Sequence, residues 1–230
     1  QFDYRQFIHN KFNCVAIGTS IFIGYFYPIG TAFANRDLRV STSGIPLVGV
    51  CTGAGIGPSY IDHVIGIVKT YTTRVGNGPF PTELTGKLGE EIRTQGGEFG
   101  ATTGRPRRCG WFDSVMIRKA AELNGLTRLA LTKLDVLNTL PEIKICTEYS
   151  IDGKTTPDFP SSPLDLEKAK PVYETVQGWQ EDISGVDTFS RFPSAAQNYI
   201  RRIQELCGNI PILLVSVGAD REQTIEVTPV

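Results

Sequence analysis

The chain lacks most of the marks of an extracellular, zinc-binding or membrane-embedded protein. Its five cysteines (Cys14, Cys51, Cys109, Cys146 and Cys207) are odd in number, scattered and never spaced as CxxC. That pattern argues against a disulfide framework or a zinc site and suits inert thiols in a reducing compartment. The formal net charge is only −1 over 230 residues, so no general field favours nucleic acid or an acidic membrane, and any anion binding must come from local clusters. The phosphate-loop pattern GxxxxGKS/T occurs nowhere, which excludes a Walker-type nucleotide site built from these residues. No internal repeat is visible. What is present is a globular composition, 40% hydrophobic and 20% charged, enough for one large domain or a closely packed pair with a real core.

The first 39 residues differ from the rest. No charged side chain lies between Phe12 and Asn35, and aromatic residues crowd the first 33 positions. Arg5 and Lys11 ahead of an apolar run, with Ala32-Phe33-Ala34 after it, imitate a targeting signal, but Gly18, Gly24, Pro28 and Gly30 interrupt the run. Two buried strands over residues 15–17 and 20–27, or a foreign stretch joined to the rest of the chain, are the alternatives.

Downstream, strand and helix signals alternate. Residues 45–52 are apolar and β-prone, the glycine-rich 53–57 come next, and Pro58 stands where a first helical turn tolerates it. Ile61, Val64, Ile65 and Val68 fall at i, i+3, i+4 and i+7, which predicts a helix with one apolar face, succeeded by a strand over 71–75. Asp113 or Ser114 is placed to cap a helix that turns Met116, Ala120 and Leu123 inward and stops at Asn124-Gly125. Strands are expected over 129–134 and 143–149, the latter ending at the Asp152-Gly153 turn, with 155–171 a polar, proline-rich surface loop. Ser194 opens a helix carrying Tyr199, Ile203 and Leu206 inward, Gly208 closes it, and 210–217 is a continuous apolar strand. The alternation predicts an α/β fold, a mostly parallel sheet with helices on both faces, where ligands collect at the carboxyl ends of strands.

Three stretches carry chemistry. Gly53-Ala54-Gly55-Ile56-Gly57-Pro58 invites a dinucleotide fingerprint but has proline where the last glycine belongs, so a structural glycine turn fits better. In "LTKLDV" (131–136), Asp135 can accept hydrogen bonds from the ring N–H and exocyclic amine of guanine while the Lys133 stem lies along the base, a donor pair adenine does not offer. A strand end with a solvated Lys and Asp is the other reading of those residues. In "GEFGATTGRPRRCGWFD" (97–113), Thr102 and Thr103 offer hydroxyl and backbone donors, and Gly100 and Gly104 let the chain bend. Arg105, Arg107 and Arg108 supply guanidinium forks for carboxylate or phosphate. Pro106 stiffens the segment between two arginines, which points them to different partners. An arginine-rich loop paired with acidic surface groups is the plainer alternative, and Trp111 and Phe112 read as core anchors.

Those stretches, together with "TRVGNGPFPTEL" (73–84), "YETVQGWQEDISG" (173–185) and "SVGADREQTI" (216–225), resemble the adenylosuccinate synthetase family, collinearly from about residue 50 to residue 225. The resemblance implies a GTP-dependent ligase that joins L-aspartate to inosine monophosphate (IMP), with magnesium as cofactor and a cytoplasmic homodimer, or an organellar one such as in a plastid, as its setting. Neither nucleic acid nor membrane is an expected partner. By position, the resemblance makes Ala101, Thr102, Thr103, Gly104, Arg105, Pro106 and Arg107 the loop that holds aspartate. It assigns Ser41, Val75, Gly76 and Arg105 to IMP, and Arg107, Lys133, Leu134, Asp135, Ser216, Val217 and Gly218 to GTP.

The family's GDEGKGK-type phosphate loop, whose aspartate is general base and magnesium ligand, and the histidine that assists as acid are not among these 230 residues. No catalytic residue and no metal ligand is therefore assigned within them. The family's VTSSNTTAGGV stands here as "VSTSGIPLVGV" (40–50), and its GAQG motif is replaced around "GYFY" (24–27). Residues 1–39 thus read as a divergent segment and 40–230 as the carboxyl-terminal part of such a domain. The chain is expected to be inactive alone, and a degenerate or stand-alone module that binds nucleotide or assembles without catalysis is the alternative.

Overall fold

A computed structural model describes Ser59, residues 61–100 and residues 103–227. The readings for residues 1–58, including the strands at 15–17, 20–27 and 45–52, the glycine turn at 53–57 and Ser41, lie outside the described residues, as do Ala101 and Thr102.

The run Ile65-Gly-Ile-Val-Lys69 forms strand β1, where an amphipathic helix is expected. Ile65 and Val68 share a helical spacing with Ile61 and Val64, which lie before the strand, but Ile65, Ile67 and Val68 are β-branched and both sides of the strand are covered. Val68 faces the main core, while Ile67 packs with Ala130 and Leu214 in a small second cluster. Strand β2, Thr72–Arg74, comes after it. The helix α1, Lys87–Gln95, has no counterpart among the expected elements: it buries only Gly89 and Ile92 and so shows almost no apolar stripe. Strands β3, Arg108–Gly110, and β4, Phe112–Asp113, come next.

Helix α2, Ser114–Asn124, starts and stops as the caps require. The Asp113 side chain accepts from the Met116 N–H, and Gly125 takes the left-handed conformation that ends the helix. Its buried face is not the expected one. Val115, Ile117 and Ala121 turn inward, Met116 and Ala120 are half-buried, and Leu123 is exposed. The helix lies over two clusters at once, Ile117 and Ala121 in the main core and Val115 against Cys146 and Tyr149, which rotates its stripe away from Leu123.

Strand β5, Arg128–Thr132, and the long β6, Glu142–Ile151, match the expected segments. The stretch 155–171 is more ordered than a surface loop. It contains the end of β7, Lys154–Thr156, the short helix α3, Pro163–Lys168, and the start of β8, Lys170–Gln177. All three are largely exposed or half-buried, and their polar composition hides their regularity. Helix α4, Ser194–Leu206, buries Ala196, Tyr199, Ile200 and Ile203, leaving Leu206 only half-buried. Strands β9, Ile212–Ser216, and β10, Thr224–Glu226, complete the chain.

One four-stranded sheet runs β1-β5-β9-β10, parallel except for β10. A second holds β4, β6 and β7 with β8 paired antiparallel along β6, and β2 pairs with β3 in a ribbon. Side chains such as Leu129, Leu131, Tyr199 and Val215 are essentially fully buried in the main core, each aliphatic one worth roughly 1.5–3 kcal/mol of transfer free energy. The Tyr199 hydroxyl donates to the Thr70 carbonyl at 2.6 Å, tying α4 to the end of β1. The described cysteines, Cys109, Cys146 and Cys207, are free and buried. Burial pushes the Cys109 and Cys207 thiols up to about 11 and about 12, so they are poor nucleophiles at neutral pH.

Candidate functional site

The parallel register brings three chain segments to one edge. Lys69, the last residue of β1, lies opposite Thr132 of β5, and Leu131 of β5 lies opposite Val215 of β9. Lys69, Lys133–Asp135 and Ser216–Gly218 therefore leave the sheet side by side at the carboxyl ends of neighbouring strands. Lys133 adopts φ 63° and ψ 37°, a left-handed conformation uncommon for a residue with a long side chain and one that collects at functional sites. Its carbonyl accepts from the Thr70 hydroxyl at 2.9 Å, which helps to hold it there.

The glycine- and arginine-rich segment is a narrow hairpin-like loop. The Arg107 N–H donates to the Glu98 carbonyl, Phe99 bridges Pro106, and the Gly100 N–H donates to the Arg105 carbonyl. Gly104, at φ 63°, turns the tip, and its N–H returns to the Gly100 carbonyl at 2.8 Å. A side chain at Gly100 would meet the Thr103 hydroxyl oxygen at 2.7 Å, so that hydroxyl would have to swing aside to admit one.

At the base of that loop sits Glu98, a residue that nothing in its local sequence singles out. Its side chain is 0% exposed, and it gathers groups from three directions. One carboxylate oxygen accepts from Lys69 Nζ at 2.7 Å, Tyr71 Oη at 2.6 Å and Lys133 Nζ at 3.2 Å, and the other accepts from Arg107 Nη1 at 2.9 Å. Burial pushes this carboxyl upward, but the charge and hydrogen bond of Lys69, the Tyr71 hydroxyl and Lys133 hold it at about 2. The same burial lowers Lys69, more than Glu98 raises it, with Lys133 and Arg107 adding repulsion. One carboxylate thus faces three cations where the loop meets the strand ends, and Lys69 bears both its own burial and the repulsion of Lys133 and Arg107. A cluster of cations so placed suits an anionic ligand.

Asp135 is the second carboxylate of this edge. Its Oδ1 is buried and has no hydrogen-bond partner, and burial shifts the carboxyl upward against its own backbone N–H and the Lys133 charge. A buried unpaired acceptor carries a desolvation cost that a donor would remove.

The remaining candidates fall into distinct surroundings. Arg105, Thr103, Gly104 and Pro106 are exposed at the loop tip, whereas Arg107 turns inward to Glu98, so the two arginines occupy different surroundings. Arg108 is not an open fork for an anion. It grips Glu83 through Nε and Nη2 and gives Nη1 to the carbonyls of Gly76 and Gly78 at 3.0 and 2.8 Å, fixing the turn that presents exposed Val75 and Gly76. Leu134 and Val217 are fully buried in the main core, so their side chains are packing. Ser216 donates to the Gly218 carbonyl at 2.8 Å, and Trp111 and Phe112 are buried. Among the described residues no group of three or more His, Cys, Asp or Glu is gathered to hold a metal ion, and no helix is long and apolar enough to cross a membrane.

Parallel strands ending in a cation cluster, beside an unsatisfied acceptor and under a glycine-bent loop, define an α/β protein whose chemically distinctive groups meet at its strand ends. The adenylosuccinate synthetase family model matches residues 39–225. Adenylosuccinate synthetases from Pelobacter propionicus and Moorella thermoacetica are each 56% identical, over 81% and 80% of this chain and 43% of their own length. A solved structure of fully ligated adenylosuccinate synthetase from Plasmodium falciparum superposes with a TM-score of 0.77 at 39% identity, covering 82% of this chain and 45% of that one. The chain belongs to the adenylosuccinate synthetase family, and it spans less than half the length of the curated relatives it matches.

Proposed function

We propose that this chain supplies the base-reading and amino-acid-holding portion of a GTP-dependent ligase that joins IMP to L-aspartate in purine nucleotide synthesis. The observation that carries the reading is the unpaired, buried oxygen of Asp135 beside Lys133, at a strand edge linked through Glu98 to the arginine loop. In that reading guanine gives its ring N–H and exocyclic amine to Asp135, the Lys133 stem lies along the base, and Ser216 to Gly218 line the pocket. Arg107 faces the GTP phosphates and the aspartate, Arg105 faces IMP from the loop tip with Thr102 and Thr103 beside the aspartate, and Val75 and Gly76 lie next to the IMP ribose, with Ser41 as a further IMP contact.

The reaction runs in two steps, with the N1 proton of IMP and one proton of the aspartate amine passing to base or solvent. The γ-phosphoryl of GTP passes to O6 of IMP, releasing GDP. The aspartate amine then attacks C6, and the C6–O bond breaks with phosphate as leaving group. Guanidinium groups and loop N–H donors stabilise the negative charge that develops on the transferring group. The described residues offer no fitting set of ligands for magnesium, so none of these roles is routed through it. A homodimer in the cytoplasm or an organelle accompanies this reading.

The same 230 residues hold no phosphate loop, which favours binding without turnover for this chain alone. Purified chain given GTP, IMP, aspartate and magnesium is expected to yield no adenylosuccinate by chromatography, and product above background would overturn that expectation. Base choice is tested by titration calorimetry. Asp135→Asn turns an acceptor into a donor and is expected to weaken GDP binding by about 1–3 kcal/mol with the circular dichroism spectrum unchanged. Equal GDP affinity in both proteins would remove Asp135 from the site.

A further inference from the structure

The deepest feature of this edge that the proposed roles do not use is Glu98. It touches no ligand in that reading, yet it is fully buried and binds both the Lys133 ammonium and the Arg107 guanidinium. Lys133 lies two residues before Asp135 and is the nearest cation in sequence to its unpaired oxygen. A flexible four-carbon stem with an ammonium at its end pairs with whichever carboxylate it can reach. Here the ammonium is turned away, to Glu98 Oε1 at 3.2 Å and to the Gly96 carbonyl, and the left-handed backbone at Lys133 is part of that geometry. Asp135 Oδ1 is left as an open acceptor.

We propose that Glu98 is the positioning residue of the nucleotide pocket: by drawing the Lys133 ammonium onto its own carboxylate it keeps Asp135 free to read the base, and by holding Arg107 it locks the arginine loop to the base-reading segment. This inference rests on the proposed guanine-reading role of Asp135 and adds the residue that keeps that role available. The main-chain bond from Arg107 N–H to the Glu98 carbonyl and the side-chain bond from Arg107 to the Glu98 carboxylate join the same two residues, so loop placement and Lys133 placement share one anchor. Without the negative charge, only neutral acceptors, the Gly96 carbonyl and the new amide, compete for the Lys133 ammonium, and the full charge of Asp135 draws it over to occupy the acceptor that guanine would use, while adenine, which makes no use of that acceptor pair, is little affected.

The test compares fluorescent GDP and ADP analogues titrated onto the 230-residue chain and its variants. The parent is expected to prefer the guanine analogue by about tenfold or more, and Glu98→Gln to lose about tenfold in guanine affinity while the adenine analogue changes by less than about threefold. A merely structural role would weaken both analogues alike. Should Glu98→Gln fail to fold once the carboxylate shared by three cations is gone, Glu98→Gln/Lys69→Met removes one of them, leaves Lys133 and Arg107 in place, and is expected to show the same loss of preference. A selective parent whose folded variant remains fully selective overturns the role of Glu98 alone. A parent that binds both analogues equally, or neither, overturns the guanine-reading assignment beneath it.

Discussion

Two carboxylates in this molecule are equally hidden from water and differ in the charges gathered around them. Glu98 is 0% and Asp113 1% exposed. Around Glu98 stand Lys69, Lys133, Arg107 and the Tyr71 hydroxyl, and the carboxyl is held at about 2 despite its burial. Around Asp113 stand the Met116 N–H at 3.1 Å and the Tyr149 hydroxyl, and burial pushes it up to about 6 because those dipoles and the Arg118 charge offset only part of the desolvation. Arg118 gives its donors to Ser114 and to the carbonyls of Leu206, Thr147 and Pro157. Burial alone therefore says nothing about the role of an acid. Its company does: Asp113 caps a helix, and Glu98 balances the charge of three cations at the strand edge.

The largest expected effect separates the two sites directly. Glu98→Ala leaves Lys69, Lys133 and Arg107 without their shared counter-charge, and removal of one partner from a buried ionic group costs about 3–5 kcal/mol. Urea unfolding followed by circular dichroism should show that loss as a lower midpoint. A change under about 1 kcal/mol would mean that the three cations find other partners and that Glu98 is not their anchor.

Acid dependence gives the next effect. The folded-state value of Glu98 lies below its ordinary 4.5, so its contribution is present above pH 4.5 and disappears as pH falls towards about 2. A depression of that size corresponds to about 3 kcal/mol of stability for this group. Unfolding free energies of parent and Glu98→Gln measured between pH 5 and 2 should converge as the parent loses its advantage. Parallel curves would show that Glu98 is not protonated in that window.

Much of this frame is readable from the chain, and the failures have physical causes. The caps of α2 are legible because Asp113 and Gly125 act through local geometry. Strands β5, β6 and β9 are legible because apolar runs flanked by turn residues have few other uses. Residues 61–68 mislead because a strand buried on both faces carries no alternation, and two of its apolar residues, Ile65 and Val68, happen to match a helical period with Ile61 and Val64 in the irregular stretch before it. Helix α1 and strand β8 escape because each buries too little to leave a pattern. At the site, Lys133, Asp135 and the arginine loop stand out by their chemistry, whereas Arg108, which reads as an anion-binding fork, is already held by Glu83 and two carbonyls. Glu98 is invisible because a lone acid among glycines looks solvated until tertiary structure brings two lysine-bearing strand ends to it. One signal points to it: Lys69 and Lys133 end neighbouring strands, and two like charges so placed need a counter-ion.

The smallest effect is expected at Asp113, and it probes the comparison from the other side. Its folded-state value of about 6 lies above the ordinary 3.8, so the group favours folding below pH 3.8 and that contribution is lost as pH rises through 6. At pH 7.5 the parent holds an ionised acid in an apolar setting. Asp113→Asn removes the charge but keeps the bonds, since the amide oxygen can still accept from the Met116 N–H and the amide nitrogen can donate to a Tyr149 hydroxyl turned to receive it. Stability at pH 7.5 should change by no more than about 1 kcal/mol, and the difference between variant and parent should move in the variant's favour from pH 4 to 7.5. A loss above about 3 kcal/mol at pH 7.5, as large as that of Glu98→Ala, would mean that Asp113 also answers to a buried cation, and burial rather than company would then explain both acids.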